Sequence, residues 1–146
     1  MVLKDGKNGV LMKYIKIIGI VVVILAVIGT GIGVKYKMDQ QKMQDDMVKV
    51  VKSEEAKEVF KEWIMNIDSK AFTKEGVIQS YKVDYDDIRH NPMGGIMTKL
   101  YVNGDSDLYI NVTLEKDTTT NKIDSGGGGY SEKLDNLVQS ESDTND

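Results

Sequence analysis

An uninterrupted apolar run near the start of the chain constrains the molecule more than any other sequence feature. Residues 17–34 read IIGIVVVILAVIGTGIGV, and none of them is charged. At about 1.5 Å per residue, a helix of this length spans about 27 Å, close to the roughly 30 Å hydrocarbon core of a bilayer. Tyr14 and Tyr36 border the run, as is typical of membrane interfaces. The sequence therefore predicts a single transmembrane helix over residues 17–34.

The short segment before this run is basic, and it sets the expected orientation. Residues 1–16 carry four lysines against a single acidic residue, Asp5. Short segments rich in lysine stay on the cytoplasmic side of a membrane. We therefore expect a single-pass protein of the cell membrane, with residues 1–16 as a cytoplasmic tail and the C-terminal domain outside.

A cleaved signal peptide is the alternative interpretation of the same segment. Residues 17–28 have the length of a signal-peptide core, and residues 29–31, Gly-Thr-Gly, offer small side chains to a signal peptidase. Cleavage near Gly31 would release a secreted effector or inhibitor. The lack of an Ala-x-Ala motif and the continuation of the apolar run to Val34 favour the membrane anchor.

The span also contains a pair of glycines that bears on assembly. Gly29 and Gly33 form a G-x-x-x-G motif. Small residues at this spacing let two helices pack closely, so they allow self-association in addition to contact with the lipid bilayer. Glycine is also frequent in membrane spans without such a role, and both interpretations stay open.

The charge and the cysteine content exclude several functions. After Val34 the chain carries 15 lysine and arginine residues against 22 acidic ones, a formal charge of −7. Such a domain is repelled by phosphate backbones, so we expect no nucleic-acid partner. The chain has no cysteine, which excludes disulfides, thiol catalysis and iron–sulfur clusters.

The residues after the span predict a helical stalk and then an amphipathic helix. Residues 35–53 are polar and rich in methionine, with apolar side chains at helical spacing. From Glu54 to Ile67 the pattern sharpens into an apolar stripe with charged residues on the opposite face. We expect this apolar stripe to pack against a sheet. It comprises Ala56, Val59, Phe60, Trp63, Ile64 and Ile67.

Four segments with strand character follow the amphipathic helix. Side-chain character alternates with period two in three of them, residues 77–85, 96–102 and 108–114. Residues 122–130 form a weaker fourth strand because four glycines interrupt it. Asn103-Gly104 is a strong hairpin signal, since both residues tolerate a positive φ. The strands therefore predict an antiparallel meander.

The C-terminal segment completes the expected fold. Ser131 is a suitable N-cap for a last short helix, and residues 139–146 are acidic and polar, so we expect them to be disordered. The chain as a whole predicts an α+β fold, with an N-terminal transmembrane helix followed by a two-layer domain over residues 54–138. In that domain one long helix packs on an antiparallel sheet of about four strands.

The only histidine lies in a segment with the character of a turn. His90 belongs to the sequence RHNPMGG, residues 89–95, and three aspartates precede it at positions 84, 86 and 87. An imidazole and carboxylates could form a metal site or an acid–base pair, but a strand places these carboxylates on different faces. Asn-Pro and Gly-Gly are typical of turns. We predict no catalytic residue, metal ion or cofactor here, and we interpret the segment first as a connecting loop. If the loop binds a ligand, the candidate residues are His90, Asn91, Gly94 and Gly95.

A glycine string forms a second binding-loop hypothesis. Residues 126–131 read GGGGYS and precede the last predicted helix. Backbone amides there could cradle an anion, although the pattern of a phosphate loop is absent. Glycines in a strand more often mark a bulge or the close approach of another backbone. The candidate binding residues in this segment are Gly127, Gly128 and Tyr130.

These motifs together resemble a known family. An N-terminal span combined with HNPMGGI at residues 90–96, LYVNG at 100–104 and GGGGYS at 126–131 is similar to a family of short, uncharacterised proteins of Gram-positive bacteria, known as a domain of unknown function. The resemblance extends to about Val138. It implies a Gram-positive source and display toward the cell wall, and it carries no assigned chemistry.

We interpret the protein as a membrane-anchored, non-enzymatic binding or accessory module that faces the cell wall and contacts an unidentified protein or wall component. The secreted effector or inhibitor is one alternative, and a cell-surface enzyme with a site around His90 is another. A cavity that joins His90 to the aspartates before it would favour the enzyme. A flat polar sheet face would favour binding.

Overall fold

The computed structural model describes the backbone of residues 3–142 and the side chains of residues 8–141. The chain divides into two compact units, residues 1–42 and 43–146. Helix α1 (Leu3–Val51) forms the whole described part of the first unit, and its last turns belong to the second. It contains the predicted span and is the one described helix that is long and apolar enough to cross a membrane.

The second unit consists of a four-stranded sheet and helices. Helix α2 (Glu54–Ile67) precedes strands β1 (Tyr81–His90), β2 (Ile96–Val102), β3 (Asp105–Lys116) and β4 (Ile123–Tyr130), and helix α3 (Glu132–Ser142) follows them. Neighbouring strands are antiparallel and lie in the order β1-β2-β3-β4. The predicted α+β fold with a four-stranded meander is thus confirmed.

The core lies between α2 and one face of the sheet. Alternation along β3 buries one row of side chains, as the period of a strand requires. The stripe of α2 covers this row, and Ser53 caps the helix by accepting a hydrogen bond from the Ala56 amide, 3.2 Å away. The large, fully buried side chains of the two rows are Phe60, Ile64, Ile110, Val112 and Leu114.

The predicted hairpin at Asn103-Gly104 is present and also ties down the segment before β1. Both residues have a positive φ, 53° and 73°. The Asn103 side-chain oxygen accepts hydrogen bonds from the amides of Gln79 (2.8 Å) and Ser80 (3.2 Å), and its amide group donates to the Val77 carbonyl at 2.8 Å. The Asn103 side chain in the turn therefore fixes the backbone of Val77, Gln79 and Ser80, which lie outside the strands.

The first strand differs from its prediction in position. We expected residues 77–85, but β1 covers Tyr81–His90. Its ladder starts at Tyr81 because the partner β2 ends at Val102, directly opposite. The register shifts between Asp84 and Arg89, so the strand bulges, and the simple alternation expected from the sequence does not hold.

The stalk and the C-terminal tail also differ from expectation. Residues 35–51 are helical as predicted, but Met47 and Val51 are buried in the core, so the end of this segment is part of the soluble unit. Helix α3 continues to Ser142, whereas we expected disorder from residue 139. Ser131 caps this helix through its hydroxyl, which accepts from the Leu134 amide at 3.3 Å. Residues 143–146 lie outside the described part of the chain.

The glycine string in β4 is explained by its neighbour on α2. Trp63 is half-buried, and its indole N–H donates a hydrogen bond to the Ser125 hydroxyl. A Cβ atom at Gly128 would overlap the Asn111 carbonyl oxygen and lie 3.2 Å from the Trp63 ring. Bare backbone at this point therefore lets β3, β4 and the indole approach one another closely.

We predict that Gly128→Ala lowers the free energy of unfolding by about 1–3 kcal/mol, because the new methyl group overlaps backbone that cannot move away. Gly129→Ala is the matched control, since a Cβ atom there meets nothing within 4 Å, and its effect should stay within about 0.5 kcal/mol. Fluorescence of Trp63, the only tryptophan, follows unfolding of this unit. Equal effects of the two substitutions would contradict this packing.

Candidate binding cleft at one end of the sheet

The meander brings four strand ends to the same end of the sheet. β1 and β3 finish there, while β2 and β4 begin there, so the connections over residues 91–95 and 117–122 are neighbours. A cavity of about 410 Å³ opens at this end. We call this cavity the end cleft, and its lining residues are Val50, Glu55, His90, Gly95, Ile96, Leu114, Glu115, Lys116, Asn121 and Ile123.

The end cleft has an apolar floor and a charged rim. Leu114 is buried, whereas Val50, Ile96 and Ile123 are half-buried and present apolar surface to the cavity. The exposed part of the rim carries two carboxylates, one ammonium group, an imidazole and a carboxamide. This combination of an apolar interior with a few polar groups is typical of small ligand sites.

The connection over residues 91–95 is a compact turn beside the cleft. The Asn91 amide donates to the Gly95 carbonyl (3.0 Å), and the Gly94 amide donates to the Asn91 carbonyl (2.9 Å). The Asn91 side chain accepts from the Met93 amide at 3.0 Å. Gly94 and Gly95 have φ values of 110° and 88°, which only glycine adopts readily. The predicted role of this segment as a structured turn is therefore visible in its hydrogen bonds.

Glu115 lies against both glycine-containing motifs. A Cβ atom at Gly95 would lie 2.6 Å from the Leu114 carbonyl oxygen and 2.9 Å from Glu115 Cγ. A Cβ atom at Gly126 would overlap the Glu115 carboxylate. The two motifs therefore leave room for the same side chain, which lies at the rim of the cleft.

The second connection is ordered by an aspartate. The Asp117 carboxylate accepts hydrogen bonds from the amides of Thr120 (2.8 Å) and Thr119 (2.6 Å), and these bonds lower the pKa of the carboxyl. The Asn121 amide donates to the Asp117 carbonyl at 2.8 Å, and Asn121 has a φ of 61°. The loop thus has a defined path and places Asn121 on the cleft.

The charges of the rim are not neutralised within the part of the chain that the structure describes. Glu55, Glu115 and Lys116 form no ion pair there, whereas Lys99 elsewhere on the sheet lies 3.3 Å from Asp87. Two carboxylates and one ammonium group leave the rim with a net negative charge. Since exposed charges are readily solvated, this state costs little in the absence of a ligand.

His90 is exposed at the rim but is not joined to the aspartates before it. Asp87 forms ion pairs with Arg89 (3.0 Å) and Lys99 (3.3 Å), and neither Asp84 nor Asp86 lines the cleft. Among the described residues, no group of three or more His, Asp or Glu side chains could hold a metal ion. The arrangement that would favour an enzyme around His90 is therefore not formed by these residues.

The sheet face opposite the core is polar. Tyr101, Tyr109 and Lys99 are half-buried on it, with the Lys99 ammonium 5.4 Å from the centre of the Tyr109 ring. A hydrogen bond to Asp84 raises the pKa of the Tyr101 phenol. Asn111 is exposed in the middle of this face. The side chains on this face are therefore polar and aromatic.

The structure divides the seven binding-loop candidates into residues at or beside the cleft and residues away from it. His90 and Gly95 line the cleft, and Asn91 and Gly94 build the turn next to it. Gly127, Gly128 and Tyr130 do not line it. The sequence analysis missed Glu55, Glu115 and the apolar floor, because no local motif marks residues that meet only through the order of the strands.

A family comparison covers the same elements. The model of the family described as "Protein of unknown function (DUF1310)" matches residues 17–137, well over half of the chain. The chain belongs to this family. The DUF1310 match begins at the first residue of the predicted span and includes every residue that lines the end cleft. No curated protein and no solved structure matches the chain.

We predict that Gly95→Ala destabilises the soluble unit more than Gly94→Ala does. A positive φ alone costs an alanine about 1–2 kcal/mol at either position. Only at Gly95 does the methyl group also overlap the Leu114 carbonyl, which adds about 1–3 kcal/mol. Thermal or urea unfolding of the full chain measures both free energies.

His90→Gln, at the last residue of β1 directly before this turn, serves as the control, because the side chain is exposed and makes no hydrogen bond in the described part of the chain. Its unfolding free energy should remain within about 0.5 kcal/mol of the parent. A larger loss in His90→Gln than in Gly95→Ala would show that the imidazole, and not the backbone, supports this end of the sheet.

Proposed function

We propose that this DUF1310 protein is a membrane-anchored binding module whose soluble domain faces the cell wall and takes its ligand in the end cleft. The proposal joins three features: the apolar helix, the acidic soluble unit, and the cleft with its polar surroundings. It assigns no catalytic step, metal ion or cofactor.

The helix supports the anchor. The large apolar side chains of residues 17–34 are about half exposed or more, from Val21 at 48% to Ile32 at 66%. A continuous apolar surface of this length is stable in water only when something covers it, and its length matches the core of a bilayer. A lipid bilayer would cover this apolar surface without a contribution from any other residue of the chain.

The end cleft is the single observation that carries the binding role. The cleft combines an apolar floor with charged groups that have no ion pair among the described residues. A ligand can therefore contact the floor and pair with these charges. His90 lies at its rim apart from Asp84, Asp86 and Asp87, the carboxylates on which the alternative of a cell-surface enzyme was based. That alternative therefore gains no support from these aspartates, and the apolar floor with its charged rim favours binding.

We predict that the two ends of the chain lie on opposite sides of the membrane. Because the chain has no cysteine, single cysteines can be introduced and labelled with a membrane-impermeant maleimide in intact cells. Thr119→Cys, exposed in the loop after β3, should react in intact cells, whereas Lys4→Cys should react only after permeabilisation. Lys116→Cys, on the cleft, should react more slowly than Thr119→Cys in cells and equally fast in the purified protein.

Each result of the labelling separates one alternative. Labelling of Lys4→Cys in intact cells, with protection of Thr119→Cys, would show that the topology is the reverse of the predicted one. Recovery of labelled Thr119→Cys protein from the medium would support the secreted form released near Gly31. Equal rates at positions 116 and 119 in cells would show that nothing occupies the cleft and would contradict the binding role.

A further inference from the structure

We infer that the ligand of the end cleft is a basic amphipathic peptide segment, in which a large apolar side chain lies next to a lysine or arginine. The inference rests on the proposed function in that it takes the cleft as the binding site. It adds the chemistry of the partner, which is determined by the floor, the rim charges and the size of the cavity.

The floor selects the apolar part of the ligand. Ile96 begins β2 and Ile123 begins β4, and both are half-buried beside the buried Leu114. Val50, near the end of α1, closes the floor from the helical side. Aliphatic groups from four elements, α1, β2, β3 and β4, thus surround a space from which an apolar side chain would displace water.

The rim selects a cation. Glu55 lies in the first turn of α2, and Glu115 lies beside Gly95 and Gly126. Neither carboxylate has an ion pair in the described part of the chain, and Lys116 offsets only one of them. The acidic soluble domain, with its formal charge of −7 after Val34, also attracts a cationic partner over longer distances.

An anionic ligand is disfavoured although a helix begins beside the cleft. The N-terminus of a helix ordinarily attracts anions through its free amides and its dipole. Here Lys57 pairs with Glu54 at 2.6 Å, but Glu55, also in the first turn of α2, has no ion pair among the described residues, and Ser53 accepts the hydrogen bond from the Ala56 amide. The local charge is therefore already negative, and an anion would meet like charge.

The size and the remaining polar groups favour a peptide. A cavity of about 410 Å³ lies at the lower end of the range for small ligand sites, roughly 300–1,000 Å³, and suits one or two large side chains. The side chains of His90 and Asn121 make no hydrogen bond among the described residues and lie at the same rim. They supply donors and acceptors for the main chain of a bound segment.

The test uses the full chain in zwitterionic lipid nanodiscs with labelled isoleucine methyl groups. The probe is the blocked hexapeptide Gly-Ser-Leu-Lys-Ser-Gly, compared with versions in which Leu becomes Ser or Lys becomes Glu. We expect the parent peptide to shift the methyl signals of Ile96 and Ile123 and to leave the fully buried Ile78 and Ile110 unchanged. Both altered peptides should bind at least about tenfold more weakly, since each loses one of the two selected features.

Substitutions of the rim identify the charge that matters. Glu55→Gln and Glu115→Gln should each weaken peptide binding about two- to fivefold, as for exposed charge pairs. Glu62→Gln is the matched control, because Glu62 is exposed on α2 and does not line the cleft. Equal weakening by all three would show a general charge effect and overturn the site.

Two further results would overturn the ligand class. One is the absence of any shift at Ile96 and Ile123. The other is a shift caused by decylamine but not by the peptide, which would assign the cleft to a small amine. Either result leaves the cysteine labelling unaffected, so failure of this inference is distinguishable from failure of the proposed function.

Discussion

The packing of helix α2 against strands β3 and β4 is the interaction on which the rest of the soluble unit depends. The apolar stripe of α2 buries Phe60 and Ile64 on the inner row of β3, while Trp63 reaches β4. A strand of ordinary side chains would hold the indole away from the sheet. Glycine in β4 weakens that strand by about 0.5–1 kcal/mol per residue, but at Gly128 it lets the indole pack against the backbone.

The same strand order that forms the core also forms the end cleft. An antiparallel meander must bring alternate connections to the same end, so the turn before β2 and the loop before β4 become neighbours. The end of α1 and the start of α2 close the site from the helical side. Glu115 then lies beside glycines from two distant motifs, Gly95 and Gly126. The cleft is therefore a consequence of topology, and its residues belong to no continuous motif.

Much of this fold was predictable because its signals are local. The period of α2, the alternation in β2 and β3, and the Asn103-Gly104 turn each determine their own element. The start of β1 was not predictable in this way, since it depends on where β2 ends, and the bulge after Asp84 changes the face of the strand. The buried positions of Met47 and Val51 in the expected stalk likewise depend on tertiary packing.

The candidate site shows the same division between local and long-range information. The turn at residues 91–95 could be predicted from Asn-Pro and Gly-Gly, and its glycines do adopt positive φ. The chemistry of the cleft could not, because Glu55, Glu115 and the apolar floor are brought together by strand pairing. The lone histidine does lie at the end of the sheet where the cleft opens, but the carboxylates that share the cleft with it are Glu55 and Glu115, and not the aspartates next to it in sequence.

A site-specific cross-link tests most directly whether the end cleft is where the protein meets its partner. A photoreactive amino acid placed at position 90, on the rim, should give an adduct of higher mass after irradiation of intact cells. The same group at Lys74, which is exposed and does not line the cleft, should give none. The adduct at position 90 should weaken when Glu115→Gln is added. Adducts of equal strength at both positions, or an adduct at Lys74 alone, would contradict the account.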